Sequence, residues 1–333
     1  MILILSNPDD SHVGPLAAKL RDRGADFIRF DHAQFPSTAE ASLAYSPAGK
    51  PVYTLRMNGE TLKLNQVKSV WYRRPTPPVP HAKITDLASR EYVEEECENF
   101  LQNAWNCLDC CWVPAVPTVI QRAGFKALQL KLAGTLGFEI PPTLITNNPS
   151  DFLEFYQHHN GNIVSKLPGS SFKRCVGHTF SRCTEIVSKR DVGYSQTVRY
   201  CPAIFQAYVP KRFELRITVV GQKVFAAEIH SQQTNRTRHD WRRYDHYHTP
   251  YFPHHLPPDV VQRCVQLVEK LHLCYGTIDM VFTPDDRYVF LEINANGQYL
   301  WIENATGLPI SDALVELLMS RSATKQPGEC LVA

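Results

Sequence analysis

"TIDMVFTPDDRYVFLEINANGQ", residues 277–298, sets two apolar runs on either side of a turn signal, Pro284-Asp285-Asp286-Arg287. Runs of this length around such a turn predict an antiparallel hairpin. With Asp285-Asp286 at its tip, Thr283 faces Tyr288, Val281 faces Phe290 and Asp279 faces Glu292. Two carboxylates directly opposite on one face repel. On a half-buried sheet, either one protonates or a cation sits between them. Asn294 follows Glu292 by two residues and therefore shares its face. The three oxygen donors suit Mg²⁺ bound jointly with substrate phosphates. The competing reading, an ordinary polar outer face, is weakened because Leu291 and Ile293 already fill the opposite face.

Upstream, the chain opens with the apolar run MILIL, a polar turn, a helical pattern ending at Gly24 and a second apolar run, ADFIRF. This β-turn-α-β order predicts a parallel sheet. Residues 41–64 read as a polar hairpin turning at Asn58-Gly59, and "VKSVWYRRP" (67–75) as a further strand. A long helix is expected over 89–111, another over 122–136 on the spacing of Phe125, Leu128, Leu132, Ala133 and Leu136, and a short one over 149–159. "GNIVSKL" (161–167) reads as a strand. The remainder reads mainly as hairpins, with a final helix near 310–320. The Pro114/Pro117 stretch marks a lobe boundary.

The 333 residues are enough for more than one lobe, and the +2 formal charge (35 basic against 33 acidic side chains) gives no electrostatic footprint for nucleic acid. No run approaches the ~18 apolar residues of a membrane span, and MILILSNPDD lacks a basic n-region. We therefore expect a cytoplasmic protein that engages neither membrane nor nucleic acid. The ten cysteines form no framework and read as reduced thiols. Cys107-x-x-Cys110 has no second Cys or His pair at ligand spacing nearby, and a cluster of His246, His248, His254 and His255 lies in a Pro-rich loop that positions ligands poorly, so both are minor zinc candidates.

An Asp on one strand followed by Glu-x-Asn on the next resembles the metal-binding signature of ATP-grasp ligases. The wider stretches 137–149, 202–232 and 290–310, with "VWYRRP" (70–75) and "DWR" (240–242), resemble the ATP-grasp peptide maturases of the microviridin type, the graspetide macrocyclases. The resemblance spans almost the whole chain. It implies an α/β (α+β) ATP-grasp fold with an N-terminal α/β pre-ATP-grasp lobe (1–117), a central subdomain (118–201) and a C-terminal subdomain (202–333). The nucleotide would lie between the last two. Lys126 and Lys166 match the phosphate-binding lysines, and "LPGSSF" (167–172) the flexible loop beside them. Backbone groups of Gln206, Ala207, Tyr208 and Val209 match the adenine-binding linker, and Glu214 the ribose ligand. Arg216, with Lys166, matches the catalytic position beside the transferred phosphoryl group. Asp279, Glu292 and Asn294 match the metal ligands. One departure is Ala295, where many ATP-grasp proteins carry proline.

The resemblance implies ATP and Mg²⁺ as cofactors and a precursor peptide, with leader and acidic core, as partner. Asp or Glu side chains would be activated as acyl-phosphates and attacked by Ser/Thr hydroxyls or Lys amines, giving macrolactones or macrolactams. Candidate peptide contacts are Arg73, Arg74, Asp240, Trp241 and Arg242, and the family suggests a homodimer. Two other readings are a ligase that adds free amino acids, as glutamate ligases do, and a nucleotide-binding regulator without catalysis.

Overall fold

The computed structural model describes residues 1–47, 49–168, 172–175, 178–181, 184–233 and 249–320, with backbone only at 172–175, 178–181 and 233. The N-terminal lobe is built on a parallel sheet whose strands lie in the order Phe27–Phe30, Ile2–Ser6, Ser69–Arg74, Cys111–Val113. Its side chains alternate between faces, as the pleat requires. Ile2, Ile4 and Trp71 pack with the helices Val13–Asp22 and Ile310–Met319. Leu3, Leu5 and Val70 pack on the other face with the helix Leu87–Asn106. The predicted hairpin at 41–64 is present as three antiparallel strands, Ala39–Ser46, Gly49–Met57 and Glu60–Lys63. Asn58 and Gly59 form its turn with φ of 53° and 80°, the left-handed pair that a tight hairpin needs.

Two further sheets face each other across a cleft. The central sheet runs Glu185–Ile186, Ile163–Lys166, Ala203–Ala207, Thr143–Thr146, all antiparallel. Its small core is Phe152, Ile163, Val187 and Phe205. The larger sheet runs Tyr251–His254, Lys223–Ile229, Phe213–Val220, Tyr275–Phe282, Tyr288–Asn294. In its middle strand Phe213, Leu215, Ile217 and Val219 point into a core shared with the helices Lys126–Thr135 and Pro258–Lys270. Glu214 and Arg216 therefore point to the opposite face, into the cleft.

Four expectations about elements change. The long helix ends at Asn106, and Cys111 begins a strand, because Trp112 and Val113 are needed on opposite faces of the parallel sheet. The helix expected over 122–136 is two, Pro117–Ala123 and Lys126–Thr135, broken around Gly124. The region read as hairpins contains the helix Pro258–Lys270, signalled by a proline in its first turn and by Val260, Cys264, Val265, Leu267 and Val268 on one buried face. The strand Ala203–Ala207 belongs to the central sheet, so that sheet ends past residue 201.

Candidate active site

The hairpin places Asp279 opposite Glu292, as the sequence predicts, but by a different register toward its tip. Phe282, not Thr283, faces Tyr288, and Val281 faces Val289 rather than Phe290. A bulge beside Asp279 then restores the pairing of Asp279 with Glu292 and of Thr277 with Asn294. The turn is longer by one residue, closed by Thr283 O···H–N Asp286 at 3.2 Å, and the bulge offsets that residue.

Across the next strand Arg216 lies directly opposite Asp279. One row over three strands thus carries Arg216, Asp279 and Glu292. Arg216 Nη1 donates to both Asp279 oxygens at 2.8 Å, in a pair whose side chains are 5% and 11% exposed. Lys126 Nζ pairs with Glu292 at 2.8 Å. Asn294 Nδ2 donates to Asp279 (3.1 Å) and approaches Glu292 at 3.4 Å. Lys126 is delivered by its helix, and that helix is pinned by Gln129, one turn further on. The buried Gln129 amide donates to Ile293 O (2.8 Å) and Ala123 O (2.7 Å) and accepts from Ile293 N (3.1 Å). A side chain thereby mimics a neighbouring strand at the sheet edge.

The cleft between the two sheets is lined by Lys166, Gln206, Ala207, Tyr208, Val209, Glu214, Asp279 and Glu292, with Lys211 and Thr184. Lys166 ends its strand and donates to Gln206 Oε1 at 2.7 Å. Ala207 N and Tyr208 N are already used, donating to Pro142 O and Asn162 O at 2.9 Å each. Among the described residues the Val209 N–H has no such backbone acceptor. The buried Glu214 accepts from Lys211 Nζ (2.9 Å) and Ser231 Oγ (2.8 Å).

Lys211, Ser231 and Gln129 are the members that sequence reasoning missed. Lys211 stood inside the quoted 202–232 stretch, three residues before Glu214. Gln129 showed itself only as a polar residue within an apolar helix pattern.

The donor chemistry fits a divalent cation. Two carboxylates and a carboxamide share one face, and rotation of the Asn294 amide would present Oδ1 in place of Nδ2. Lys126 and Arg216 hold the carboxylate charge in the chain alone.

The peptide-contact candidates divide. Arg74 is exposed. Arg73 is not on the surface: it is 2% exposed, with Nε 3.1 Å from Asp10 and Nη1 donating to Asn296 O at 2.7 Å. Tyr72 and Arg73 alternate faces, and the Arg73 face is covered by the C-terminal lobe. Asp240, Trp241 and Arg242 lie outside the described residues, as do His246, His248 and part of the 167–172 loop. His254 bridges Glu228 (2.7 Å) and the Tyr288 hydroxyl (3.0 Å). Among the described residues no helix is long and apolar enough to cross a membrane.

The MvdD pre-ATP grasp domain family matches residues 1–119. A comparison with curated proteins returned no match. Among solved structures, the Chryseobacterium gregarium RiPP-associated ATP-grasp ligase, in complex with ADP and a leader and core peptide, superposes with a TM-score of 0.87. It is 32% identical over 95% of this chain and 96% of its own. The macrocyclase MdnC from Microcystis aeruginosa, bound with precursor peptide MdnA, is 32% identical over 95% of this chain and 98% of its own, with a TM-score of 0.83. The macrocyclase MdnB from the same organism is 31% identical over 96% and 98%, with a TM-score of 0.79. By this likeness along nearly its full length, and by a cleft in which lysines, an arginine and facing carboxylates converge, the chain belongs to the ATP-grasp ligases associated with ribosomally made peptides, the family of the microviridin-type macrocyclases.

Proposed function

We propose that this chain uses ATP to activate Asp and Glu side-chain carboxylates of a ribosomal precursor peptide and joins them to Ser/Thr hydroxyls or Lys amines within the same peptide. The observation that carries the reading is the row Arg216–Asp279–Glu292, flanked by Lys126 and facing Lys166 across the cleft. Such an arrangement stabilises a phosphoryl group in flight and offers no protein nucleophile. A substrate carboxylate oxygen attacks the γ-phosphorus and ADP leaves. The hydroxyl or amine then attacks the acyl carbon, releasing its proton, and phosphate departs with one former carboxylate oxygen. Each ring costs one ATP, and the peptide loses the elements of one water.

In this reading Lys126 and Lys166 bind phosphate oxygens, and Arg216 stabilises the transferred phosphoryl group. The Gln206–Val209 segment binds the adenine edge through the Val209 N–H, and Glu214 takes the ribose hydroxyls, with Lys211 fixing its carboxylate. Magnesium, held by Asp279, Glu292 and Asn294, would neutralise charge on the β- and γ-phosphates when bound. The chain works as an N-terminal lobe, a central lobe ending at Ala207 and a C-terminal lobe, in the cytoplasm and as a homodimer. Arg74 and the segment containing Asp240, Trp241 and Arg242 contact the peptide.

The test is ADP release driven by a precursor peptide with Ser/Thr and Asp/Glu in its C-terminal part. Loss of one water per ring, abolished by Glu292→Gln, is expected. ADP release with an unchanged peptide mass refutes cyclisation. A mass gain equal to a free amino acid points to the amino-acid ligase instead.

A further inference from the structure

The loop Ala295–Gln298 follows the Asn294 ligand position and contains no proline. Three consecutive carbonyls of this loop each accept from a buried donor. Asn296 O takes Arg73 Nη1 at 2.7 Å, Gly297 O takes the Tyr275 hydroxyl at 2.7 Å, and Gln298 O takes Arg216 Nη2 at 3.0 Å. Asn296 Nδ2 returns two bonds to the N-terminal lobe, to Tyr72 O at 3.0 Å and to Arg73 O. Just beyond the loop, the backbone N–H groups of Tyr299 and Leu300 donate to His12 Nε2 at 3.2 and 3.3 Å.

Those bonds fix the His12 tautomer. Nε2 accepts, so Nδ1 carries the proton and donates to Asp10 Oδ1 at 3.0 Å. Asp10 in turn lies 3.1 Å from Arg73 Nε through its other oxygen. The side chains of Asp10, His12 and Arg73 are all buried; the first two lie in the turn after the strand Ile2–Ser6, and Arg73 near the end of the adjacent parallel strand Ser69–Arg74. A cluster that takes the charges of Asp10 and Arg73 out of water around a neutral His12 is an expensive means of holding lobes together, for which apolar packing would serve as well. What it supplies is direction: its donors and acceptors are aimed at the backbone on either side of Gly297. The same loop excludes side chains at Gly297, where a Cβ would collide with Thr277.

We propose that Arg73, oriented by Asp10 and His12, is a positioning residue: through Asn296 the N-terminal lobe sets the angle at which Asn294, two residues upstream, meets the metal-nucleotide. This rests on the Mg²⁺-nucleotide reading above. Supporting groups behind metal ligands typically contribute about 10–100-fold in metal affinity.

The measurement is ADP binding by calorimetry across a Mg²⁺ series and in EDTA, for the full chain and three variants. Arg73→Gln and Asn296→Ala should each require about 10–100-fold more Mg²⁺ for half-maximal enhancement of ADP binding. Their ADP affinity in EDTA should be unchanged. Leu101→Ala, a core truncation under the far face of the same lobe, should lower the Tm without moving the Mg²⁺ requirement. If Arg73→Gln does not fold, Asn296→Ala, which leaves no charge stranded, decides alone. An unchanged Mg²⁺ requirement in Asn296→Ala, or an equal shift in Leu101→Ala, overturns the proposal. If Mg²⁺ does not alter ADP binding by the unsubstituted chain, the functional reading itself fails, a result seen before any variant is made.

Discussion

Replacing Arg216 with Met tests whether the charge pattern of the site is built for a divalent cation. Arg216 Nη1 lies 2.8 Å from both Asp279 oxygens, and the pair is almost wholly buried. Removing one partner of such a pair costs about 3–5 kcal/mol, because the remaining charge is stranded. Here the Asn294 amide at 3.1 Å still donates to Asp279, which argues for the lower end, about 3 kcal/mol. The assay is hydrogen exchange of amides in the strands Phe213–Val220 and Tyr275–Phe282, read in EDTA and again with Mg²⁺. In EDTA, protection should fall by the equivalent of about 3 kcal/mol. Mg²⁺ should restore much of it, because the ion takes over the neutralising role, and it should bind more tightly than to the unsubstituted chain, having lost a competitor for Asp279. ADP release with peptide should still drop by about 10²–10³-fold, the usual cost of a lost transition-state donor. Unchanged protection in EDTA, or a loss that Mg²⁺ leaves untouched, would refute the reasoning.

Gln129→Leu should strand the backbone N–H and C=O of Ile293, destabilise by about 1–3 kcal/mol in urea denaturation, and raise the KM for ATP because Lys126 shifts with its helix. An unchanged KM would separate Gln129 from nucleotide binding. Gly297→Ala should cost about 1–3 kcal/mol by overpacking against Thr277, again read in urea; a neutral result would mean the loop has room to move. Acidification should destabilise the N-terminal lobe. Burial pushes His32 from 6.5 down to about 4 and lowers His12 as well, so the unfolded chain binds protons that the fold does not. The stability is fully present above pH 6.5 and declines as pH falls toward about 4, by about 3 kcal/mol from His32 alone. Denaturation midpoints across that window should show the slope, and His32→Gln should flatten it; an identical slope in the variant would assign the effect elsewhere.

The sequence made the catalytic face legible because charged and amide side chains on apolar strands are costly and hence informative. Glu292 and Asn294 could be placed on one face from strand period, and Asp279 opposite Glu292 from the hairpin pairing. Their register was reached through a turn read one residue too short, with a bulge compensating, and nothing in the residue pattern announces that bulge. Arg73 was misjudged because an arginine next to a second arginine and a proline reads as surface. Its burial depends on Asp10 and Asn296, both distant in sequence: the first meets it across adjacent strands of the same sheet, the second only when the lobes pack. The helix Pro258–Lys270 was legible in principle, since its buried positions follow helical spacing, but the hairpins on either side dominated the reading.

The most direct test of the account is the fate of an oxygen atom. A precursor peptide labelled with oxygen-18 in its Asp and Glu side-chain carboxylates is incubated with the protein, ATP and Mg²⁺, and the released phosphate is analysed by mass. Activation as an acyl-phosphate predicts one labelled oxygen in phosphate for every ring formed, and none when Glu292 is replaced by Gln. Rings formed while the phosphate stays unlabelled would contradict the mechanism at its centre.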